Sequence, residues 1–170
     1  MTQIITERLI LRRPQASDLD ALYALTNDDE TRRYLGVATP TLPFSFARLL
    51  QNAGSWSFHG YGSFIVIEKA SDLMIGNCGV FHSYRGLGDD FDDMPEAGWI
   101  IAHDHLRKGY AREAMDAALR WFDEKHGPRP IVAMIQMGNS VSVSLANTLG
   151  FEFTRLALLE QTEMQLFQRA

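Results

Sequence analysis

A chain of 170 residues lets one core bury about 70% of the unfolded surface, and 46% apolar against 22% charged residues, with Gly and Pro dispersed, exclude disordered and fibrous classes. A formal charge of -5 argues against a broad basic face for nucleic acid, and the single cysteine, Cys78, excludes an intrachain disulfide and a thiolate zinc cluster. The longest apolar runs, Gly98 to Ala102 and Ile131 to Ile135, are too short to cross a bilayer, and Met1-Thr2-Gln3 begins no export signal. The expectation is a single domain over residues 1–170, cytoplasmic, with no membrane, nucleic-acid or metal partner.

The first segment, Thr6 to Pro14, alternates Leu9 and Leu11 with Arg8 and Arg12 and predicts a strand stopped by proline. Ser17 offers a hydroxyl N-cap with Asp20 three residues on, so a helix is expected through Leu19, Leu22, Tyr23 and Leu25 to about Asn27. A second helix is placed from Phe44 to Asn52, between Thr39-Pro40-Thr41-Leu42-Pro43 and Ala53-Gly54-Ser55. Three strands follow at Tyr61 to Glu68, Leu73 to Tyr84 and Glu96 to Ala102, the first two joined by Lys69-Ala70-Ser71-Asp72 as an antiparallel meander. From Gly109 to His126, Ala111, Ala114, Met115, Ala118, Leu119 and Phe122 recur at helical spacing opposite Arg112, Glu113, Asp116, Arg120 and Asp123, and Gly127-Pro128 closes the helix. Ile131 to Met137 reads as a buried strand, Asn139 to Leu149 as a short helix ended by Gly150, and Phe151 to Arg169 as a strand pair.

The segment from Trp99 to Ala114 is a strand, a short loop and a helix, an arrangement suited to an anion. Unpaired N–H groups and the positive dipole end of a helix N-terminus favour a pyrophosphate if the loop backbone comes close. Gly109 permits that approach, Ala111 keeps the first turn small, and Arg107 and Lys108 add cations. A surface loop with two solvated basic residues is the alternative.

These residues, with three further segments, resemble the GNAT superfamily of N-acetyltransferases, in particular the branch containing ribosomal-protein N-terminal acetyltransferases. Its pyrophosphate loop, Gln/Arg-x-x-Gly-x-Gly/Ala, is matched by Gly109 and Ala111, with Leu106 where Gln or Arg is usual. Asn139-Ser140-Val141-Ser142 followed by Leu149-Gly150-Phe151 is similar to the branch's Asn-x-x-Ser and Leu-Gly-Phe, and Thr6 to Arg12 and Glu96 to Trp99 resemble its first and fourth strands. The resemblance implies an α+β GNAT acyl-CoA N-acyltransferase fold, a mixed, mostly antiparallel sheet of six to seven strands flanked by helices. It also implies acetyl-CoA as cosubstrate, with pantetheine between two splayed strands, here Glu96 to Ala102 and Ile131 to Met137.

The resemblance assigns the cofactor to Trp99, Ile100 and Ile101 through their backbones, to Leu106, Arg107, Lys108, Gly109, Tyr110, Ala111 and Arg112 around the loop, and to Asn139 and Ser142. Acetyl transfer to an amine needs a neutral nucleophile, stabilisation of the oxyanion and a proton for the departing thiolate. An N–H of Ile100 or Ile101 is expected at the thioester oxygen, Ser142 as proton donor to sulfur or else a helix-capping or first-turn hydrogen-bonding residue, and Glu96 as base or else a solvated strand end. Tyr110, His103 and His105 are reserves. The acceptor amine, a protein N-terminus or a small molecule, is assigned to residues 33–57 and 86–95, with Trp56, Phe58, Phe44 and Phe91 as lining candidates. The acidic run Asp89, Asp90, Asp92 and Asp93 is a candidate attractor of a cationic acceptor or a solvated hairpin tip. A monomer or homodimer is expected, and the alternative to catalysis is a module that binds acetyl-CoA or CoA without turnover.

Overall fold

The computed structural model describes residues 2–35 and 40–170, so part of the expected acceptor segment, residues 36–39, lies outside them. The chain opens with β1 (Gln3–Ile5), which turns at Thr6 and pairs antiparallel with β2 (Leu9–Arg12), Ile4 opposite Leu11. β1 is the strand that the periodicity omitted, because three residues are too few to show alternation. Leu9 and Leu11 are fully buried between half-exposed neighbours, as their alternation predicts.

Asp18, rather than Ser17, organises the entry to α1 (Leu19–Asn27) through a 3-10 turn at Ala16–Asp18. Its buried carboxylate accepts from the Gln15 backbone N–H at 2.7 Å and from the two Arg12 Nη atoms at 2.6 and 2.8 Å. A carboxylate serves both a cap and an ion pair, and a hydroxyl serves only the first. The short α2 (Asp29–Arg32) is capped by Asp28, which accepts from Thr31 N at 2.7 Å.

The next helix, α3 (Leu42–His59), exceeds the expected Phe44 to Asn52 at both ends. Thr41 caps its start, and tertiary bonds on both sides of Gly54 hold it: Asn52 Nδ2 and Trp56 Nε1 donate to Ser63 O at 3.0 and 3.1 Å, and Ser55 Oγ donates to Tyr61 O at 2.7 Å. Such bonds outweigh the cost of about 1 kcal/mol for one interior glycine. No helix among the described residues is long and apolar enough to cross a membrane.

β3 (Ser63–Glu68), β4 (Leu73–Ser83), β5 (Met94–Ile101), β6 (Ile131–Gln136), β7 (Glu152–Leu159) and β8 (Thr162–Arg169) complete one eight-stranded sheet in the order β1-β2-β3-β4-β5-β6-β8-β7. All neighbours are antiparallel except β5 and β6. The α+β class holds, with eight strands in place of six to seven. Helices α4 (Tyr110–His126) and α5 (Ser140–Thr148) follow β5 and β6. The apolar stripe of α4 packs Ala114, Met115, Ala118, Leu119 and Phe122 against Leu9, Leu11, Phe64, Val66, Cys78 and Val80. Burial pushes the Cys78 thiol up to about 12, as suits a packed thiol.

The acidic loop between β4 and β5 is built from its own aspartates. Asp92 accepts the N–H groups of Arg85, Gly86 and Gly88 at 2.8 to 3.1 Å, Asp90 pairs with Arg155 at 2.7 Å, and Asp93 meets His82 Nε2 at 2.8 Å. Phe91 is buried with Val132, Met164 and Leu166. Three of the run's four aspartates thus hold the loop, while Asp90 and Asp93 stay exposed.

At the far end of the sheet, His59 stacks on His82 with centroids 3.7 Å apart, and His126 packs on Tyr61 and Phe122. Desolvation first, then the neighbouring His82 and Arg129, lowers the pKa of His59 and of His126 respectively. The unfolded chain, with histidine near about 6.5, then binds more protons than the folded one, so stability present above that pH is lost as pH falls through the lowered values. Urea midpoints at pH 7.5 and 5.5 are expected to differ less in His59→Gln/His126→Gln than in the wild type.

Candidate active site

β5 and β6 run parallel but pair only at Glu96 with Val132 and Ala97 with Ala133. Beyond that point they part, while β5 keeps its register on β4 to Ile101 and β6 keeps its register on β8 to Gln136. Each strand is therefore held on its outer side, and a wedge opens toward the starts of α4 and α5. Ala102 N donates to Ile75 O at 2.8 Å, so by alternation the backbone groups of Ile100 point into the β4 ladder and those of Trp99 and Ile101 face the wedge. Among the three expected backbone contacts, the strand edge presents two, and Ile100 belongs to the neighbouring ladder.

The loop after β5 makes a 3-10 turn, His103–His105, in which Leu106 N donates to His103 O at 3.0 Å, so the Leu106 amide is committed. The next six are free: the backbone N–H groups of residues 107–112 have no acceptor among the described residues. Arg107 with φ 59 and Gly109 with φ 80 both take the left-handed conformation, which turns consecutive amides to one side. Glycine adopts it freely, whereas at Arg107 it costs on the order of 1 kcal/mol and calls for support from outside the loop. Arg112 pairs with Asp116 at 3.6 Å, and Leu106 is exposed.

Asn139 is the N-cap of α5, its Oδ1 accepting from Ser142 N at 3.1 Å. Ser142 is therefore capped rather than capping. Its Oγ accepts from Trp99 Nε1 at 3.2 Å, a bond between β5 and α5 that leaves the hydroxyl proton free to donate.

Glu96 is not a solvated strand end. It is 3% exposed, and Arg85 grips it with Nε to Oε2 at 2.7 Å and Nη2 to Oε1 at 2.8 Å. Arg85 escaped the sequence reading, because a bond from a loop to a strand eleven residues away leaves no periodic trace. Of the reserves, Tyr110 donates its hydroxyl to Glu68, and that bond raises its pKa. His105 lies 3.7 Å from Glu68, and His103 takes part through its backbone, N–H to Thr31 Oγ1 at 2.9 Å. Trp56 and Phe91 are core residues, while Phe44 and Phe58 are exposed.

Residues 8–152 match the acetyltransferase (GNAT) domain family. An uncharacterized N-acetyltransferase, p20, of Bacillus licheniformis is 30% identical over 154 residues, 89% of this chain and 83% of that protein. A putative GnaT-family acetyltransferase of Bordetella pertussis superposes with a TM-score of 0.91 at 30% identity, covering 100% of both chains. RimL, a ribosomal L7/L12 alpha-N-protein acetyltransferase solved with coenzyme A, shares the fold with a TM-score of 0.77 at 14% identity, covering 99% of this chain and 97% of that one. With a strand wedge, a loop of free amides and these relatives in agreement, the chain belongs to the GNAT acetyltransferase family.

Proposed function

We propose that this protein transfers the acetyl group of acetyl-CoA directly to a primary amine, a protein N-terminus or a small molecule, in a ternary complex. The observation that carries this reading is the run of six free amides at residues 107–112 beside the unpaired edge of Trp99 and Ile101. The loop amides, with Lys108 and the α4 dipole, receive the pyrophosphate, and the strand edge receives the amide-bearing pantetheine arm as an added strand would be received. Acetyl-CoA supplies the activated acyl group. The Ile101 N–H, on the wedge side, faces the thioester oxygen and stabilises developing negative charge there.

As the N–C bond forms and the C–S bond breaks, Ser142 donates its hydroxyl proton to the departing sulfur and is reprotonated from solvent, to which Glu96 later releases the amine proton. Each Glu96 oxygen keeps a lone pair beyond the one given to Arg85, and one of these accepts the amine proton, directly or through water.

The test is acetyl-CoA titration followed by a screen for CoA release on peptides, amino acids, polyamines and aminoglycosides. Binding with release on one acceptor class supports the reading, and binding with no release on any class leaves a non-catalytic CoA-binding module. Once an acceptor is found, Ser142→Ala is expected to lower kcat by roughly 10²-fold at pH 7, in the range of general acid catalysis. Acetyl-CoA affinity should stay nearly unchanged, and the deficit should narrow near pH 9, where a thiolate of ordinary basicity leaves unprotonated.

A further inference from the structure

The left-handed turn at Arg107 and Gly109 is braced by Arg8, which stands in the turn between β1 and β2. Arg8 donates Nη1 to Lys108 O at 2.8 Å and Nε to Glu113 Oε2 at 2.7 Å, and its guanidinium lies 4.5 Å from the Tyr110 ring centroid. Glu113, in the first turn of α4, also accepts from Arg8 N at 2.8 Å and Thr6 Oγ1 at 2.6 Å. Arg8 Nη2 has no acceptor among the described residues, and it lies 3.4 Å from the point where a Gly109 side chain would begin.

A carboxylate in the first turn of the helix that receives a pyrophosphate repels it, and a turn with a strained non-glycine residue needs holding. The Arg8 guanidinium answers both, since one nitrogen bonds the carboxylate and another the turn's carbonyl. Burial pushes the Glu113 carboxyl up, yet the bonds from Thr6 and Arg8 prevail and hold it below the ordinary range.

We propose that Arg8 is a cofactor-positioning residue: it fixes the Arg107 to Gly109 turn and cancels the Glu113 charge, so that the phosphates of acetyl-CoA meet free amides without a neighbouring anion. This rests on the acetyl-CoA reading above. Thr6-Glu7-Arg8 thereby has a role beyond starting a strand: Thr6 and Arg8 reach α4, more than a hundred residues away in sequence.

The test compares acetyl-CoA with S-acetylpantetheine, which carries the thioester and pantetheine but no phosphate. Arg8→Gln is expected to weaken acetyl-CoA by roughly tenfold, because the turn loses its brace and Glu113 its cation, and S-acetylpantetheine by less than about twofold. Arg8→Lys, which restores the charge without the fork, should fall between, and Arg8→Gln/Glu113→Gln should regain part of the loss by removing the uncancelled carboxylate. Equal losses for both ligands, or none for acetyl-CoA, overturn the proposal. Circular dichroism checks folding, and if Arg8→Gln does not fold, Arg8→Lys carries the same ligand comparison. Failure of the wild type to bind acetyl-CoA would instead overturn the functional reading itself.

Discussion

Gly109→Glu is expected to raise the acetyl-CoA Kd by about a hundredfold or more, through two effects that add. The residue sits at φ 80, where any L side chain is strained by on the order of 1 kcal/mol, and its Cβ would stand 3.4 Å from Arg8 Nη2. Strain alone makes Gly109→Ala a control worth roughly five- to tenfold. The carboxylate adds a charge beside the free amides, where repulsion against one phosphate charge at about 4 Å amounts to roughly 1 to 4 kcal/mol. It would also compete with Glu113 for Arg8. Isothermal titration separates the contributions: Gly109→Ala measures the turn, and the further loss in Gly109→Glu measures the anion. Wild-type affinity in both variants would place the pyrophosphate elsewhere and remove the loop from the cofactor site.

What the sequence made legible follows from the range of the interaction concerned. The α4 stripe was readable because helical periodicity is local: five of its six expected residues, from Ala114 to Phe122, are buried, and Ala111 is half-buried. The turn before α4 was readable because Gly109, at φ 80, marks a left-handed backbone position at a helix start. The expected Ile100 contact divided differently, since which strand groups face the wedge depends on the β4 register, set by pairs such as Cys78 with Trp99. The reach of α3 depended on bonds to Ser63 and Tyr61, invisible to a local pattern. The electrostatic partners were least legible. Nothing near Glu96 announces Arg85, nothing near Glu113 announces Arg8, and Asp90, Asp92 and Asp93 of the acidic run look unpartnered until Arg155, the loop amides and His82 are brought to them.

The Arg85 to Glu96 pair is the point where stability and chemistry are hardest to separate, and Arg85→Ala carries the largest expected cost to the fold. Removing one partner of a buried pair leaves an uncompensated charge, at about 3 to 5 kcal/mol, or roughly 10 °C in Tm for a chain of this length. Glu96→Gln should cost much less. Its amide oxygen still accepts from Arg85, which is 29% exposed and able to turn to solvent, whereas the Glu96 side chain at 4% is not. The double variant Arg85→Ala/Glu96→Gln should therefore be more stable than Arg85→Ala alone, a sign reversal that no pair of independent sites produces. Thermal melts of the four proteins give the ranking. If Arg85→Ala proves no worse than Glu96→Gln, the pair contributes little to the fold and Glu96 is free to act as a base by position alone. If the ranking holds, loss of activity in Arg85→Ala reports the collapse of a supporting pair, and Glu96→Gln, whose fold survives, is the variant that tests whether the carboxylate deprotonates the amine.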